Sequence, residues 1–429
     1  MEELQNKKRN RAYKFLIFAT FFLYIILTGS KNLYVAEKTT LQSLGTFGSF
    51  TDLAATMEYY FYAYAVMQIL LVFFMKKINV KWFLTITLGI SAIISILVAF
   101  TNTIFSHWFL YTVNGVMQAG VWGCSIKTLS KYLPQRLLSV ANKLMTSGPA
   151  VAGVISYGTA ALFGDDWKTP FIVLGVILLI SILLFFVSVT LVHGYPREEE
   201  NQISTKKESQ APTDFIHLNN KKRKILFYVI SILISALVTS LFFAMNNTLD
   251  IYLKQIGGFD NTTAKWITIL APIAFIIGPI LCVDACDKHP NFISVGTVFF
   301  GLAFVLSFLL LFLFDKNIVL SMALLLAYLV CTNGGRSICL SIAALKLRDK
   351  IDSGVYSTLI NAAASIATGI IPKIFTAIVD NSTLSIIENW TNAFAVMTVC
   401  NAVVVSILIG LLLWVKYLNK KDKEKDLYV

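Results

Sequence analysis

One arginine, Arg336, lies inside a long apolar stretch of the chain. Its segment, CTNGGRSICL at 331–340, follows VLSMALLLAYLV and precedes SIAAL, so the next charge is Lys346. A charge at the centre of a membrane helix costs about 2.5 to 3.5 kcal/mol on insertion scales. A guanidinium stays charged and matches the geometry of a carboxylate or phosphate. We therefore expect Arg336 to bind an anionic substrate group; the alternatives are that it snorkels to an interface or pairs internally.

Three lysines also lie within apolar stretches: Lys31, Lys127 and Lys373. Each could assist Arg336 in substrate binding, or carry its ammonium along the flexible stem to an interface. Glu58 is the clearest carboxylate in such a stretch, and we consider it either a proton carrier or an internal partner of Lys31 or Lys373. Because cations outnumber carboxylates in these stretches, a cavity lined by them would attract an anion.

Uncharged polar residues in apolar stretches most often join helices through hydrogen bonds. The pair Asn246 and Asn247 is the exception, since we expect it to interrupt its helix and to hydrogen-bond the substrate. In TSGPAVAG at 146–153, Pro149 removes a backbone hydrogen bond and the nearby glycines permit bending. This segment indicates either a helix that moves during a transport cycle or a simple kink.

These residues are carried by apolar segments of membrane length. Of the 429 residues, 56% are hydrophobic and only 14% are charged, which is too apolar for the surface of a soluble protein. A helix needs about 20 residues to cross the hydrocarbon core. Twelve apolar segments are near or above that length, at 13–34, 53–75, 81–101, 106–130, 140–163, 169–192, 225–253, 264–285, 291–314, 318–346, 353–379 and 391–417. The sequence therefore predicts an all-α integral membrane protein with 12 transmembrane helices.

The charge distribution predicts the orientation of the chain in the membrane. The chain carries 36 Lys and Arg residues against 24 Asp and Glu, a net charge of +12. With both termini cytoplasmic, most basic residues fall on the cytoplasmic side, as the positive-inside rule requires. The basic residues left on the outer side are Lys38, Lys168, Lys254, Lys265 and Lys316. The basic excess is thus a topology signal rather than a sign of a nucleic-acid partner, and we expect a multi-pass protein of the cytoplasmic membrane.

A single long polar segment, 194–224, divides the apolar segments six and six. Its charge and lack of periodicity are typical of a cytoplasmic linker. The sequence therefore predicts one six-helix bundle over 1–193 and a second over 225–429, which ends in a cytoplasmic tail. Two such repeats around a central cavity are the plan of many secondary transporters.

The loops after the second and eighth segments echo each other, with MKKINVK at 75–81 and DACDKHPN at 284–291. With its two six-helix halves, the chain resembles the major facilitator superfamily, whose loop signature of an Asp followed by a basic residue survives as Asp287-Lys288. The resemblance implies the major facilitator fold, alternating access of the two bundles, and a conformational role for Asp287 and Lys288. In the first half, a Lys-Lys pair replaces the motif, so we expect no such role there.

A narrower resemblance is to the organophosphate:phosphate antiporters, the group that includes the glycerol-3-phosphate transporter. It is carried by NGVMQAGVWGCSIKTLSKYL at 114–133 and TLDIYLKQIGGFDNTTAKW at 248–266. The two phosphate-binding arginines of that group fall at Ser30 and near Phe242 here, and an arginine linked to proton coupling in the family falls at Gly115. The chain therefore keeps the outline of the group without its phosphate-binding pair, and proton-driven transport is less favoured than exchange.

The sequence predicts a secondary transporter that moves a small organic anion, an organophosphate or a carboxylate, by exchange or facilitated transport, and acts as a monomer in the lipid bilayer. We expect no cofactor, metal or catalytic activity, because the sequence has no ATP-binding phosphate loop and its cysteines, Cys282 and Cys286 among them, lie in or at the ends of apolar segments, where metal sites are unusual. The alternative is a proton-coupled carrier or effluxer of a neutral or cationic small molecule that uses Glu58. A third hypothesis is a non-transporting sensor or partner-binding membrane protein.

Overall fold

The computed structural model describes residues 2–74, 78–194, 221–289, 291–343 and 353–426, and all regular structure in these residues is helical. The α-helices, in chain order, are α1 (Glu2–Ala36), α2 (Lys38–Ser43), α3 (Phe50–Phe74), α4 (Val80–Val98), α5 (Ile104–Gln118), α6 (Val121–Tyr132), α7 (Gln135–Phe163), α8 (Lys168–His193), α9 (Lys221–Gln255), α10 (Asn261–Thr268), α11 (Leu270–Lys288), α12 (Phe292–Leu313), α13 (Ile318–Ser337), α14 (Ser353–Val379) and α15 (Ile386–Asp426). A π-helix, Ile338–Ile342, directly follows α13.

Each of the twelve predicted spans corresponds to one of these helices or to consecutive ones, which confirms the all-α membrane fold. Within the described residues, nine helical stretches are long and apolar enough to cross a membrane. Two predicted spans are each built from two α-helices: α5 and α6 join at residues 119–120, and α10 and α11 join at Ile269. The fourth and eighth spans are therefore interrupted where the sequence predicts single helices.

The chain divides into two compact units. The first comprises Met1–Lys206 with Asp260–Pro272, and the second comprises Lys207–Phe259 with Ile273–Val429. Most of the predicted linker, residues 195–220, lies outside the described residues, as do residues 75–77 with the Lys-Lys pair of the first-half loop. Asp260–Pro272, which comes from the second half of the sequence, thus belongs to the first unit.

In the first unit, α1 packs on α7 and α8, α3 packs on α5, and α4 packs on α8. Leu84 and Phe185 are fully buried members of one apolar cluster of this unit, and Tyr111 and Phe171 are buried in a second. One close approach depends on a glycine: a β-carbon added at Gly115 would lie 2.3 Å from the carbonyl oxygen of Tyr60. The side chain at this position must be hydrogen because α3 and α5 touch through their backbones.

In the second unit, α9 packs on α14, and α12 packs on both α13 and α15. One large apolar cluster of this unit includes Phe227, Phe300 and Tyr356 and extends along the π-helix. These contacts bring the end of α13 against α9 and α12, which is where Arg336 lies.

One expectation about local structure is wrong. Asn246 and Asn247 do not interrupt their helix, because α9 runs without a break from Lys221 to Gln255. Lys38 and Lys265, which the charge distribution places on the outer side, lie in α2 and α10 and are buried, with 3% and 0% of their surfaces exposed. A count of charges cannot detect a lysine whose head group has a partner inside the protein.

Candidate functional site

Arg336 lies in the last turn of α13, and the π-helix begins two residues later. A π-helical turn widens the backbone spacing and is frequent at functional sites of membrane and soluble helices. The arginine side chain is half-buried. The sequence therefore folds into an irregular backbone at the one arginine of this span.

The guanidinium of Arg336 contacts residues of α9 and of its own helix, α13. Its carbon lies 5.4 Å from the ring centroid of Phe242 and 5.5 Å from that of Phe243, both on α9, which is the geometry of a cation–π contact. Its Nη1 donates to Oδ1 of Asn333 over 3.0 Å. Nδ2 of Asn333 in turn donates to the carbonyl oxygen of Phe275 on α11 over 2.8 Å. The amide thus fixes both its own orientation and that of the cation.

The glycines beside Arg336 serve helix packing. A β-carbon at Gly334 would lie 2.6 Å from Cε1 of Phe299, and one at Gly335 would lie 2.4 Å from Cζ of Phe300. The two phenylalanine rings of α12 therefore fill the space beside these glycines. The close approach anchors α13 on α12 and so sets the position from which the arginine extends.

Asn246 and Asn247 lie on the same helix as the two rings that contact Arg336. They follow Phe242 and Phe243 by four residues each, which is one helical turn or about 6 Å along α9. Nδ2 of Asn246 donates to Oδ1 of Asn247 over 3.3 Å. The structure therefore brings three of the predicted substrate-binding residues, the arginine and the two amides, to neighbouring turns of one region.

The first unit holds its own cation against aromatic rings. Nζ of Lys31 on α1 lies 5.6 Å from the ring centroid of Tyr60 and 5.4 Å from that of Phe61, both on α3. The Tyr60 hydroxyl donates to Oε1 of Gln118 over 2.8 Å. Nε2 of Gln118 donates to Ser91 over 2.9 Å and to Asn114 over 3.0 Å. This buried network fixes the ring that faces Lys31.

The remaining candidates are more scattered. Lys127 is half-buried on α6 in the first unit, and Lys373 is half-buried on α14 in the second. Glu58 accepts a hydrogen bond from the hydroxyl of Tyr62, one turn further along α3, over 2.8 Å. The six predicted substrate-binding residues therefore divide between the units, with Lys31 and Lys127 in the first and the other four in the second.

The residues assigned to conformational change lie on two helices. Asp287 and Lys288 are exposed at the end of α11, where a loop motif of the predicted kind belongs. Pro149 is exposed within α7, and the helix continues through it from Gln135 to Phe163. A β-carbon at the preceding Gly148 would lie 2.6 Å from the ring of Tyr24, so this part of α7 packs closely on α1.

One buried charged pair was missed by the sequence analysis. Nζ of Lys265 on α10 lies 2.8 Å from Oε2 of Glu37, which follows α1, and the side chains of both residues are fully buried. The same Nζ donates to the carbonyl oxygen of Gly164 over 3.0 Å. A charge at the end of an apolar segment was the only available signal, because the two residues are 228 positions apart.

The helical fold, with cations held inside its apolar helices, defines a polytopic membrane carrier. The chain matches the model of the Major Facilitator Superfamily over residues 15–372, and it belongs to that family. The protein is a transporter of the secondary-carrier type.

Solved structures of this family share the fold at low sequence identity. A nucleoside transporter, NupG, is 16% identical with a TM-score of 0.63, and the match covers 93% of this chain and 98% of that one. A bacterial homologue of the human lysosomal transporter Spinster, inward-facing and unoccupied, is 12% identical with a TM-score of 0.64, covering 97% and 98%. A D-xylose–proton symporter is 11% identical with a TM-score of 0.67, covering 92% and 96%. No curated protein sequence matches the chain significantly.

Proposed function

We propose that this transporter moves a small organic anion, an organophosphate or a carboxylate, and that Arg336 contacts its anionic group. The observation that carries the proposal is the fixed guanidinium, held by two rings and by the amide of Asn333. The two rings and the amide orient the guanidinium. An anion that reaches the guanidinium would form a charge-assisted, bidentate contact with it, which a lysine cannot form.

The position of Phe242 supports the same substrate class. The organophosphate:phosphate antiporters that the chain resembles carry an arginine near this position. Here the ring at this position lies against the guanidinium of Arg336. The cation that this group carries on α9 is thus replaced by Arg336 of α13, whose guanidinium lies beside the Phe242 turn of α9. The other arginine position of that group is Ser30, and Lys31 follows it directly.

The other candidate residues have supporting roles in this proposal. Lys31, Lys127 and Lys373 add positive charge that attracts the anion, and Asn246 and Asn247 supply hydrogen bonds to its uncharged part. Transport proceeds by exchange or facilitated movement with alternating access, in a monomer of the cytoplasmic membrane whose termini both face the cytoplasm. Asp287, Lys288 and Pro149 act in the conformational change rather than in binding.

The test is a thermal-shift screen of the purified protein. The panel contains sugar phosphates, inorganic phosphate, dicarboxylates and monocarboxylates. It also contains cationic drugs, neutral sugars and nucleosides, the last two because solved neighbours are named for such substrates. A ligand present at 100 times its Kd adds about 2.7 kcal/mol to the free energy of unfolding. We expect one class of anion to stabilise the protein.

The variant Arg336→Gln should lose this stabilisation, whereas Lys316→Gln should keep it, because Lys316 is an exposed lysine whose side chain pairs only loosely with Asp315 over 3.5 Å. Stabilisation by neutral or cationic compounds alone, equal in wild type and Arg336→Gln, would contradict the proposal. The same screen on Glu58→Gln would then decide whether the alternative, a proton-coupled carrier, takes its place.

A further inference from the structure

A buried carboxylate lies close to the binding region around Arg336. Asp250 belongs to the seventh apolar segment of the sequence, and in the structure it lies on α9 with none of its surface exposed. An ionisable group inside a membrane span is costly to bury, so it indicates a functional site by default. The proposed function does not use this residue.

Asp250 shares a face of α9 with the residues of the binding region. It follows Phe243 by seven residues, which is two helical turns, so the two side chains leave the helix on the same face. The ring of Phe243 contacts the guanidinium of Arg336 at 5.5 Å. Asn246 and Asn247 lie on the intervening turn. A row of guanidinium, amides and carboxylate therefore follows this face of α9.

The opposite face of α9 packs inside the second unit. Tyr252, two residues after Asp250, projects from the other side of the helix. Its hydroxyl lies 2.6 Å from the carbonyl oxygen of Phe314 and 2.8 Å from the hydroxyl of Ser321. Its ring centroid lies 5.0 Å from that of Trp390 on α15. These contacts fix the rotation of α9 about its axis, and so they fix the direction in which Asp250 points.

The row carries two groups of opposite charge at a defined spacing. The rise of an α-helix places Asp250 about 10 Å from the Phe243 turn, where the guanidinium lies. Two charge-assisted hydrogen bonds of about 2.8 Å, one at each end, leave about 5 Å between the polar atoms of a ligand that bridges both groups. A carboxylate offers about four lone-pair sites, so it can accept from a ligand as well as from a protein donor.

We propose that the substrate is a small zwitterion, and that Asp250 binds its ammonium group while Arg336 binds its carboxylate or phosphate. This inference rests on the proposed function, because it places the anionic group at Arg336. It adds a second charged group to the substrate and makes Asp250 the residue that selects for it. Asn246 and Asn247 lie along the uncharged chain between the two groups.

The test compares pairs of ligands that differ in the ammonium group. γ-Aminobutyrate is paired with butyrate, and aminoethyl phosphate is paired with ethyl phosphate. Thermal-shift titrations of the full-length protein give a Kd for each ligand, since stabilisation depends on the ligand concentration relative to Kd. One hydrogen bond to a charged group corresponds to about a tenfold change in Kd. We therefore expect the amino compound of at least one pair to bind about tenfold more tightly than its partner.

Asp250→Asn should remove the preference for the ammonium group and leave the affinity for butyrate or ethyl phosphate unchanged. Arg336→Gln should weaken the binding of both members of a pair. Asp315→Asn is the matched control, because Asp315 is an exposed carboxylate that pairs loosely with Lys316 over 3.5 Å, and this variant should keep the preference. A carboxylate with a purely structural role would change the affinity for both ligands alike.

Equal affinity for the two members of each pair in the parent protein, with binding that Arg336→Gln abolishes, would overturn the inference and leave anion transport standing. Failure of all these ligands to bind, while other anions of the screen do bind, would overturn it as well. Failure of every anion to bind would overturn the proposed function itself, and the inference with it.

Where Asp250→Asn does not fold, Asp250→Glu decides. The glutamate carboxylate reaches one methylene further, so the preference should move to ligands one atom shorter. These are β-alanine in place of γ-aminobutyrate and aminoethylphosphonate in place of aminoethyl phosphate. An order of affinities identical to that of the parent protein would overturn the role of Asp250.

Discussion

The guanidinium of Arg336 lies 5.4 Å from the ring centroid of Phe242, so the cation of α13 rests on the face of α9. Cation–π contacts of this kind contribute about 0.5 to 2 kcal/mol, depending on how far water is excluded. That is enough to help orient the arginine. Asn333 then fixes the guanidinium from within its own helix through a hydrogen bond. The predictions about the binding region depend on this placement of the guanidinium.

Asn333→Asp should abolish anion binding without removing the arginine. The new carboxylate would lie where Oδ1 now accepts from Arg336 at 3.0 Å, and it would neutralise the guanidinium as an ion pair. We expect the thermal shift produced by the anionic ligand to disappear, as it does in Arg336→Gln. Asn333→Ser, which introduces no charge, should retain at least part of the shift. Full anion stabilisation in Asn333→Asp would show that Arg336 does not contact the ligand.

Tyr60→Phe should destabilise the first unit. The hydroxyl of Tyr60 is the donor to Oε1 of Gln118, whose amide nitrogen is already committed to Ser91 and Asn114. Removing it leaves a buried acceptor without this donor, a loss of about 1 to 3 kcal/mol. Chemical unfolding in detergent measures the loss. As a matched change, Tyr417→Phe removes a hydroxyl from a side chain that is 62% exposed and should change the free energy of unfolding by less than about 0.5 kcal/mol.

Gly115→Ala should be destabilising although alanine favours helices. The added β-carbon would lie 2.3 Å from the carbonyl oxygen of Tyr60, so α3 and α5 must separate, at a cost of about 1 to 3 kcal/mol. Gly89→Ala on α4 is the control, because nothing lies within 4 Å of a β-carbon there. We expect it to stabilise by about 0.5 to 1 kcal/mol. Equal effects of the two changes on the melting temperature would contradict the close approach.

The Glu37–Lys265 pair should show strong coupling in a double-mutant cycle. Glu37→Gln or Lys265→Met alone leaves one buried charge without its main partner, which costs about 3 to 5 kcal/mol. The double variant removes both charges and should cost clearly less than the sum of the two single changes. The same cycle on the exposed pair Lys316 and Asp315 should give a coupling below about 1 kcal/mol. Additive effects at Glu37 and Lys265 would show that the two charges do not depend on each other.

The cap of α10 should weaken in acid. A hydrogen bond from the side chain of Thr263, together with backbone hydrogen bonds, holds the pKa of Asp260 below its usual range. A carboxyl group with a depressed pKa stabilises the folded state at pH values above its unfolded pKa, and this contribution is lost as the pH falls through the folded pKa. Neutral pH therefore retains the cap, and it should be lost only in strong acid.

Hydrogen exchange of the first amides of α10 measures this loss. Asn317, which caps α13 with hydrogen bonds to Val319 and Leu320, does not titrate and serves as the internal control. We expect protection at α10 to fall relative to α13 as the pH drops below the usual range of an aspartate pKa. Protection that changes in parallel at both caps would remove the assigned role of Asp260.

The membrane fold could be predicted from the sequence because it depends on a local property. A run of apolar residues long enough to cross a bilayer must be helical, since its backbone has no other hydrogen-bonding partners there. The same rule does not predict where a membrane helix is interrupted. The junction at residues 119–120 and the π-helix after Arg336 depend on packing against neighbouring helices, and the unbroken path of α9 through Asn246 shows that polar residues alone do not predict a break.

The importance of Arg336 as a candidate could also be predicted, since its charge is costly wherever its span lies in the membrane. Its surroundings could not. Phe242 and Phe243 are ordinary apolar residues in the sequence, and only the packing of α9 against α13 turns them into a platform for the guanidinium. Lys265 is the opposite case: the charge count places it on the outer side of the membrane but gives no sign of its burial against Glu37, 228 residues away.

The complete burial of the Glu37–Lys265 pair separates it from the ionic composition of its surroundings. Dissolved ions weaken attraction between exposed charges over distances of about 8 Å at physiological ionic strength, and they act little on charges enclosed by protein. A cell that moves from dilute to concentrated medium would therefore leave this attachment at the same strength, while loosening the contacts between charged groups on the surface of the protein. The strength of the contact between Lys265 on α10 and Glu37 at the end of α1 therefore does not change with the ionic strength of the medium.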